Sequence, residues 1–227
     1  MLNDDLFNKL KSRVTEELKE CSAHNIDHVM RVYNLALKIA QGEGEVDWEV
    51  LQIATLLHDI GGAKEIADPT GKTDHAVESA KMAVPILVEL GFSAAKIKHI
   101  QECIVSHRYK TEAKPQTLEA KILFDADKLD ALGAIGIARV FAWISKNKAS
   151  LYKKVNLEDY IQTNLGGSIS GRIQDKSLHS PQIEFETKIK YIPDKLYTQK
   201  GKEIGQERLK YYQEFLNRLE REINGEL

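Results

Sequence analysis

Cysteine is scarce in these 227 residues, and the two present, Cys21 and Cys103, stand far apart with no C-x-x-C spacing. Neither a thiolate zinc site nor a disulfide framework is suggested, and the expected state is two reduced, partly buried thiols. No apolar run approaches the ~18 residues that a membrane helix needs, and the start, Met1-Leu2-Asn3-Asp4-Asp5, lacks the basic and apolar segments of a secretory signal. The expected location is the cytoplasm, away from membranes. Net charge is also nearly missing: 32 basic against 34 acidic residues leave −2, which gives no global pull toward nucleic acid or an anionic surface. Strand-like alternation is almost absent, and no internal repeat or low-complexity tract interrupts the chain.

What is present is helical periodicity. Leu6, Leu10, Val14 and Leu18 recur at helix spacing, as do Val29, Val32, Leu35, Ala36, Ile39 and Ala40. Asp47 reads as the cap of a helix running to His58, with Gly61-Gly62 ending it. Thr73 or Asp74 can cap the next helix, which contains Pro85 and runs to Gly91, and Ser93 another that reaches His107. From Thr117 the pattern runs on through Leu118, Ile122, Leu123, Ala126 and Leu129 into the small residues Ala131 to Ala138. The Gly- and Ser-rich stretch 164–181 predicts a loop, with a lid as one role for it. Helix resumes from Phe185 and again over Gly205 to Ile223, where Leu209, Tyr212, Phe215, Leu216 and Leu219 form one apolar face. These features predict one all-α domain over 1–227, with a core at about 20–140 and a helical extension over 141–227.

Six of the seven histidines, His24, His28, His58, His75, His99 and His107, crowd into this core, and several adjoin aspartates. A divalent transition metal needs imidazole and carboxylate ligands converging from rigid elements, which helices facing one cavity supply. His28, His58, Asp59 and Asp127 suit that role. Adjacent residues on a regular helix diverge by ~100°, so His58 and Asp59 reach one ion only where the helix ends. Asp127 and Asp130 share a helix face; Asp127 is preferred for the metal, and Asp130 for orienting or proton handling. His99 reads as structural. His24 and Asp27 flank His28, either orienting ligands or, for Asp27, capping the helix.

Three blocks in order carry a resemblance. His28-Val29-Met30-Arg31-Val32, then Leu56-Leu57-His58-Asp59-Ile60-Gly61, then Asp125-Ala126-Asp127-Lys128-Leu129-Asp130-Ala131-Leu132-Gly133 resemble the H…HD…D signature of the HD superfamily of metal-dependent phosphohydrolases. The likeness spans roughly residues 20 to 140. It implies an all-α HD-domain bundle with the metal between core helices, held by His28, His58, Asp59 and Asp127. Within the superfamily the chain looks most similar to small bacterial HD-domain nucleotide hydrolases. Dinuclear members add two histidines between the His-Asp pair and the last aspartate, and His75 and His107 stand in that order, as second-metal ligands or phosphate contacts. Lys64 follows the His-Asp pair at a spacing suited to a substrate phosphate, with Arg108 and Lys128 as further phosphate contacts. Some nucleotidases of the superfamily carry an acidic residue three after the motif aspartate, where this chain has Gly62.

The function implied is hydrolysis of a nucleotide phosphoester or phosphoanhydride by metal-activated water, as a nucleoside triphosphate pyrophosphohydrolase or a nucleotidase, with Asp59, Lys64 and Asp130 in the catalytic set. The alternatives are a di-iron oxygenase of the same superfamily and a catalytically silent nucleotide-binding module. A His₂Asp₂ set with open positions favours Mn²⁺ or Fe²⁺, admits Mg²⁺, Co²⁺, Zn²⁺ or Ni²⁺, and suits Ca²⁺ less well. The expected partner is a small-molecule nucleotide rather than nucleic acid, bound by a monomer or homodimer.

Overall fold

The computed structural model describes residues 2–19, 25–108 and 113–227, and among them only helices and turns occur. The all-α expectation holds. No helix among them is long and apolar enough to cross a membrane. The chain forms two compact units, one of Met1–Asp127 with Tyr197–Gly201 and one of Lys128–Leu196 with Lys202–Leu227.

The first unit contains α1 (Asp4–Glu17), α2 (Ile26–Ala40), α3 (Trp48–Leu57), α4 (Gly62–Ala67), α5 (His75–Glu89), α6 (Ala94–Ser106) and most of α7 (Leu118–Leu129). Every residue of α3 from Val50 to Leu57 is buried. A helix covered on all sides belongs at a centre, and α1, α2, α5 and α6 pack around this one. Its buried amide is satisfied: Gln52 donates to the Tyr33 hydroxyl at 2.5 Å and accepts from the Leu2 backbone at 2.8 Å. Asp47, Asp74 and Ser93 cap α3, α5 and α6 as the sequence predicts. Pro85 lies inside α5 without ending it. At α2 the cap is Asn25, not Asp27. Asn25 holds the extended backbone a cap requires and accepts from the His28 backbone N–H at 3.2 Å, while Asp27 already lies in the first helical turn.

Gly61 separates α3 from α4 for a packing reason. Its φ is an ordinary −85°, but a Cβ there would lie 2.6 Å from the Ser79 backbone nitrogen of α5. The turn between the helices thus rests on the first part of α5, and the Ser79 hydroxyl accepts the Gly61 N–H at 2.9 Å. A return segment closes the unit: the buried Asp125 carboxylate accepts from the backbone of Tyr197 at 2.9 Å and of Thr198 at 2.7 Å, and from Thr198 Oγ1 at 2.6 Å. Burial pushes the Asp125 carboxyl up, against these hydrogen bonds. A Cβ on Gly201 would come within 2.5 Å of Asp125 Oδ2. Glycine is the only residue that lets the segment approach this closely.

The second unit holds α8 (Gly133–Lys146), α9 (Leu157–Asn164), α10 (Pro181–Thr187) and all but the start of α11 (Gln199–Ile223). The periodicity that the sequence carries past Leu129 is broken: α7 ends there and α8 starts at Gly133, whose φ of +65° favours glycine. Tyr212 and Leu216 of the α11 apolar face are buried, with Leu209, Phe215 and Leu219 half-buried. Within the predicted stretch, residues 165–180 form a loop with a single 3-10 turn, Lys176–Leu178, while Asn164 ends α9 and Pro181 starts α10. Its neck is tied, because the buried Asn164 side chain accepts from Asp175 N at 2.7 Å and donates to Asp175 O at 2.9 Å. The seventh histidine, His179, is buried here between the Tyr160 hydroxyl at 2.9 Å and Glu184 Oε2 at 3.0 Å.

Removing the Asp125 acceptor leaves its donors without a partner in the interior. Asp125→Ala is expected to lower the unfolding free energy by roughly 3 kcal/mol. A urea midpoint equal to the wild type's would contradict this account of the return segment.

Candidate metal centre

Six side chains from the first unit converge, and each comes from a helix end or close to one. His28 sits in the first turn of α2, His58 caps the C-terminus of α3 and Asp59 follows it in the turn. His75 opens α5, His107 caps the end of α6, and Asp127 lies near the end of α7. His28, His58, Asp59 and His107 are buried, and His75 is partly so.

Asp59 is the common member. Its Oδ2 lies 3.4 Å from His28 Nε2 and 3.6 Å from His58 Nε2, and its Oδ1 lies 3.4 Å from the Nε2 atoms of both His75 and His107. Asp127 Oδ1 approaches His28 Nε2 to 3.4 Å. Two groups with the donor types of a metal site result, His28-His58-Asp59 and Asp59-His75-His107.

Hydrogen bonds at the far side of three of the rings, His58, His75 and His107, set their tautomers. A carbonyl can only accept, so His58 Nδ1–H donates to Thr55 O at 2.7 Å and His107 Nδ1–H to Ile104 O at 2.5 Å. His75 Nδ1–H donates to Glu65 Oε2. In neutral rings each Nε2 then presents a lone pair to the centre. Burial, opposed by Asp59, lowers the His58 pKa to about 4, and burial likewise lowers that of His75. The Nε2 atoms of His75 and His107 stand 3.3 Å apart, and those of His28 and His58 3.4 Å. For His75 and His107, both with Nδ1 as the donor, lone pairs at that distance beside a carboxylate repel unless a cation lies among them. Ligands ~2.1 Å from one divalent ion are ~3.0–3.4 Å apart at octahedral or tetrahedral angles, so the donor set fits such an ion.

Lys64 is exposed in α4, with Nζ 3.4 Å from Glu78 Oε2. Arg108 is held by Glu65 Oε1 and Asp74 Oδ2, both at 2.9 Å. Asp130 belongs to the second unit, where its buried carboxylate meets Arg139 Nη1 at 2.5 Å. Lys128 also falls in that unit. His99 faces Glu119 Oε2 and Thr117 Oγ1, both at 3.2 Å, which agrees with a structural role. His24 and Cys21 lie outside the described residues. Cys103 is buried, which pushes its thiol up to about 12 and leaves it protonated.

Glu65 escapes a sequence reading. Burial alone would raise its carboxyl, yet the His75 backbone and imidazole, with Arg108, hold it below the usual range. No helical spacing links Glu65 to His75 ten positions on, because the intervening loop decides whether they meet.

The family model described as the HD domain matches residues 25–132. YpgQ of Bacillus subtilis (strain 168) is 27% identical over 216 residues, covering 91% of this chain and 87% of that protein. The crystal structure of a HD-superfamily hydrolase from Bacillus thuringiensis superposes with a TM-score of 0.69 at 25% identity, over 97% of each chain. The crystal structure of B. subtilis YpgQ in complex with ADP shares the fold, with a TM-score of 0.69 at 24% identity over 96% of this chain and 98% of that one.

The depressed His58 pKa fixes a pH dependence. The unfolded chain takes up this proton near 6.5 and the folded chain only near 4, so stability is complete above pH 6.5 and falls as pH drops through that window. The metal-free protein is expected to lose up to about 3 kcal/mol from this group. Urea titrations in chelator between pH 7 and 4 measure it, and a flat profile would contradict a buried neutral His58.

Proposed function

The chain belongs to the HD-domain family, and from that premise we propose that it is a metal-dependent phosphohydrolase acting on nucleotides. The observation that carries the reading is the position of Asp59, one carboxylate oxygen facing His28 and His58 and the other facing His75 and His107. In this reading His28, His58, Asp59 and Asp127 hold one divalent cation, and Asp59, His75 and His107 hold a second, so the latter two histidines act as ligands rather than phosphate contacts. Mn²⁺ and Fe²⁺ suit the donor set best. When bound, such ions acidify water and polarise phosphoryl oxygens.

The chain's own residues then have defined tasks. The Thr55 and Ile104 carbonyls keep His58 and His107 in the tautomer that turns Nε2 inward. Arg108, braced by Glu65 and Asp74, holds its guanidinium near His75 and is the candidate donor to a substrate phosphate, its charge shared with the two carboxylates. Lys64, exposed and only loosely paired with Glu78, has the freedom to follow a phosphate as it binds. Asp130 is committed to Arg139, and no step is assigned to it. A nucleotide as substrate is supported by the relative YpgQ, whose structure was solved with ADP. Release of pyrophosphate from a nucleoside triphosphate is the favoured reaction, and phosphate release from a monophosphate the second.

A panel of nucleoside mono-, di- and triphosphates with Mn²⁺, resolving phosphate from pyrophosphate, tests the reading. Turnover is expected with the wild type. Asp59→Ala should lower it by more than the ~100-fold that loss of an outer partner costs, because both groups lose their shared oxygen donor. No turnover of any nucleotide, combined with two irons per purified chain, would overturn the proposal in favour of the oxygenase chemistry of the superfamily.

A further inference from the structure

We infer that Glu65 is the positioning residue of the second cation site, fixing His75 as a ligand and tying it to Arg108. The inference rests on the paired-cation reading above. Its starting point is a difference among the rings. His58 and His107 are oriented by main-chain carbonyls and are fully enclosed, whereas the His75 side chain keeps 19% of its surface exposed against 1% for His107. Packing alone therefore leaves His75 with rotameric and tautomeric choices that the other two lack.

Glu65 removes both choices. Its Oε2 accepts the His75 backbone N–H at 2.9 Å and also the Nδ1–H of the same residue, so one oxygen fixes the start of α5 and the direction of the ring. Its Oε1 accepts Arg108 Nη2 at 2.9 Å, and Arg108 Nη1 reaches Asp74 Oδ2 at 2.9 Å. Asp74 in turn caps α5 through the Ala76 N–H at 2.9 Å. The result is a closed ring of charge-assisted contacts, Glu65 to His75, along the chain to Asp74, across to Arg108 and back to Glu65. A carboxylate behind an imidazole also raises its basicity, which a neutral carbonyl does to a smaller degree. His75 is thus the ring whose ligand strength depends on a replaceable side chain.

The test titrates Mn²⁺ into metal-stripped wild type, Glu65→Gln, His75→Ala and the double variant, by calorimetry with elemental analysis. Two ions per chain are expected in the wild type. Glu65→Gln should keep one at full affinity and weaken the second about 10–100-fold, with the double variant no worse than His75→Ala alone. Imidazole ¹⁵N spectra of the metal-free proteins supply a readout that a merely structural role would not move: His75 as the Nδ1–H tautomer in the wild type, mixed with Nε2–H in Glu65→Gln. Wild-type affinity for both ions in Glu65→Gln overturns the inference and leaves the paired reading intact. So does a double variant weaker than His75→Ala, since Glu65 would then act other than through His75. A wild-type chain that binds one ion removes the paired reading and the inference with it.

Discussion

A buried carboxylate shared by buried imidazoles is the constraint on which the first unit depends. Asp59 is 1% exposed, and the rings around it include His58, held neutral at ordinary pH by burial. Gathering a charge and several lone pairs in a dry interior is unfavourable by itself. A cation among these donors would offset that cost, and the surrounding fold fixes the donors in place. The all-round burial of α3 is part of that support, because it anchors the one helix whose end carries both His58 and Asp59.

The helix ends explain how six donors reach one place. In mid-helix, successive side chains diverge, and His58 and Asp59 would face different neighbours. Past the end of α3 the backbone turns, and the missing side chain at Gly61 lets α5 approach until His75 joins the cluster. The capping side chains Asn25 and Asp74 fix where α2 and α5 begin, and so where His28 and His75 point. Asp125 performs a related task two residues before Asp127, binding the return segment at Tyr197 and Thr198 to α7.

Much of this was legible in the sequence because it is local. Helical spacing, the caps Asp47, Asp74 and Ser93, and the ordered histidine and aspartate blocks each follow from a few adjacent residues. The requirement that His58 and Asp59 sit at a helix end follows from helix geometry alone. What could not be read depends on contacts distant in the chain. Glu65 meets His75 only through the course of a loop, and Asp125 meets Thr198 across 73 positions. The break between α7 and α8 was hidden by an unbroken apolar pattern, and only the positive φ at Gly133 reveals it. Asn25 and Asp27 both carry side chains able to cap, and the cap belongs to Asn25, the residue with extended backbone.

The central claim is that Asp59 joins two cation positions. Anomalous diffraction from crystals grown with Mn²⁺, collected near the manganese edge, tests it most directly. The account predicts two anomalous peaks flanking the Asp59 carboxylate, one among His28, His58 and Asp127 and one between His75 and His107. A single peak, or manganese bound away from Asp59, would contradict it.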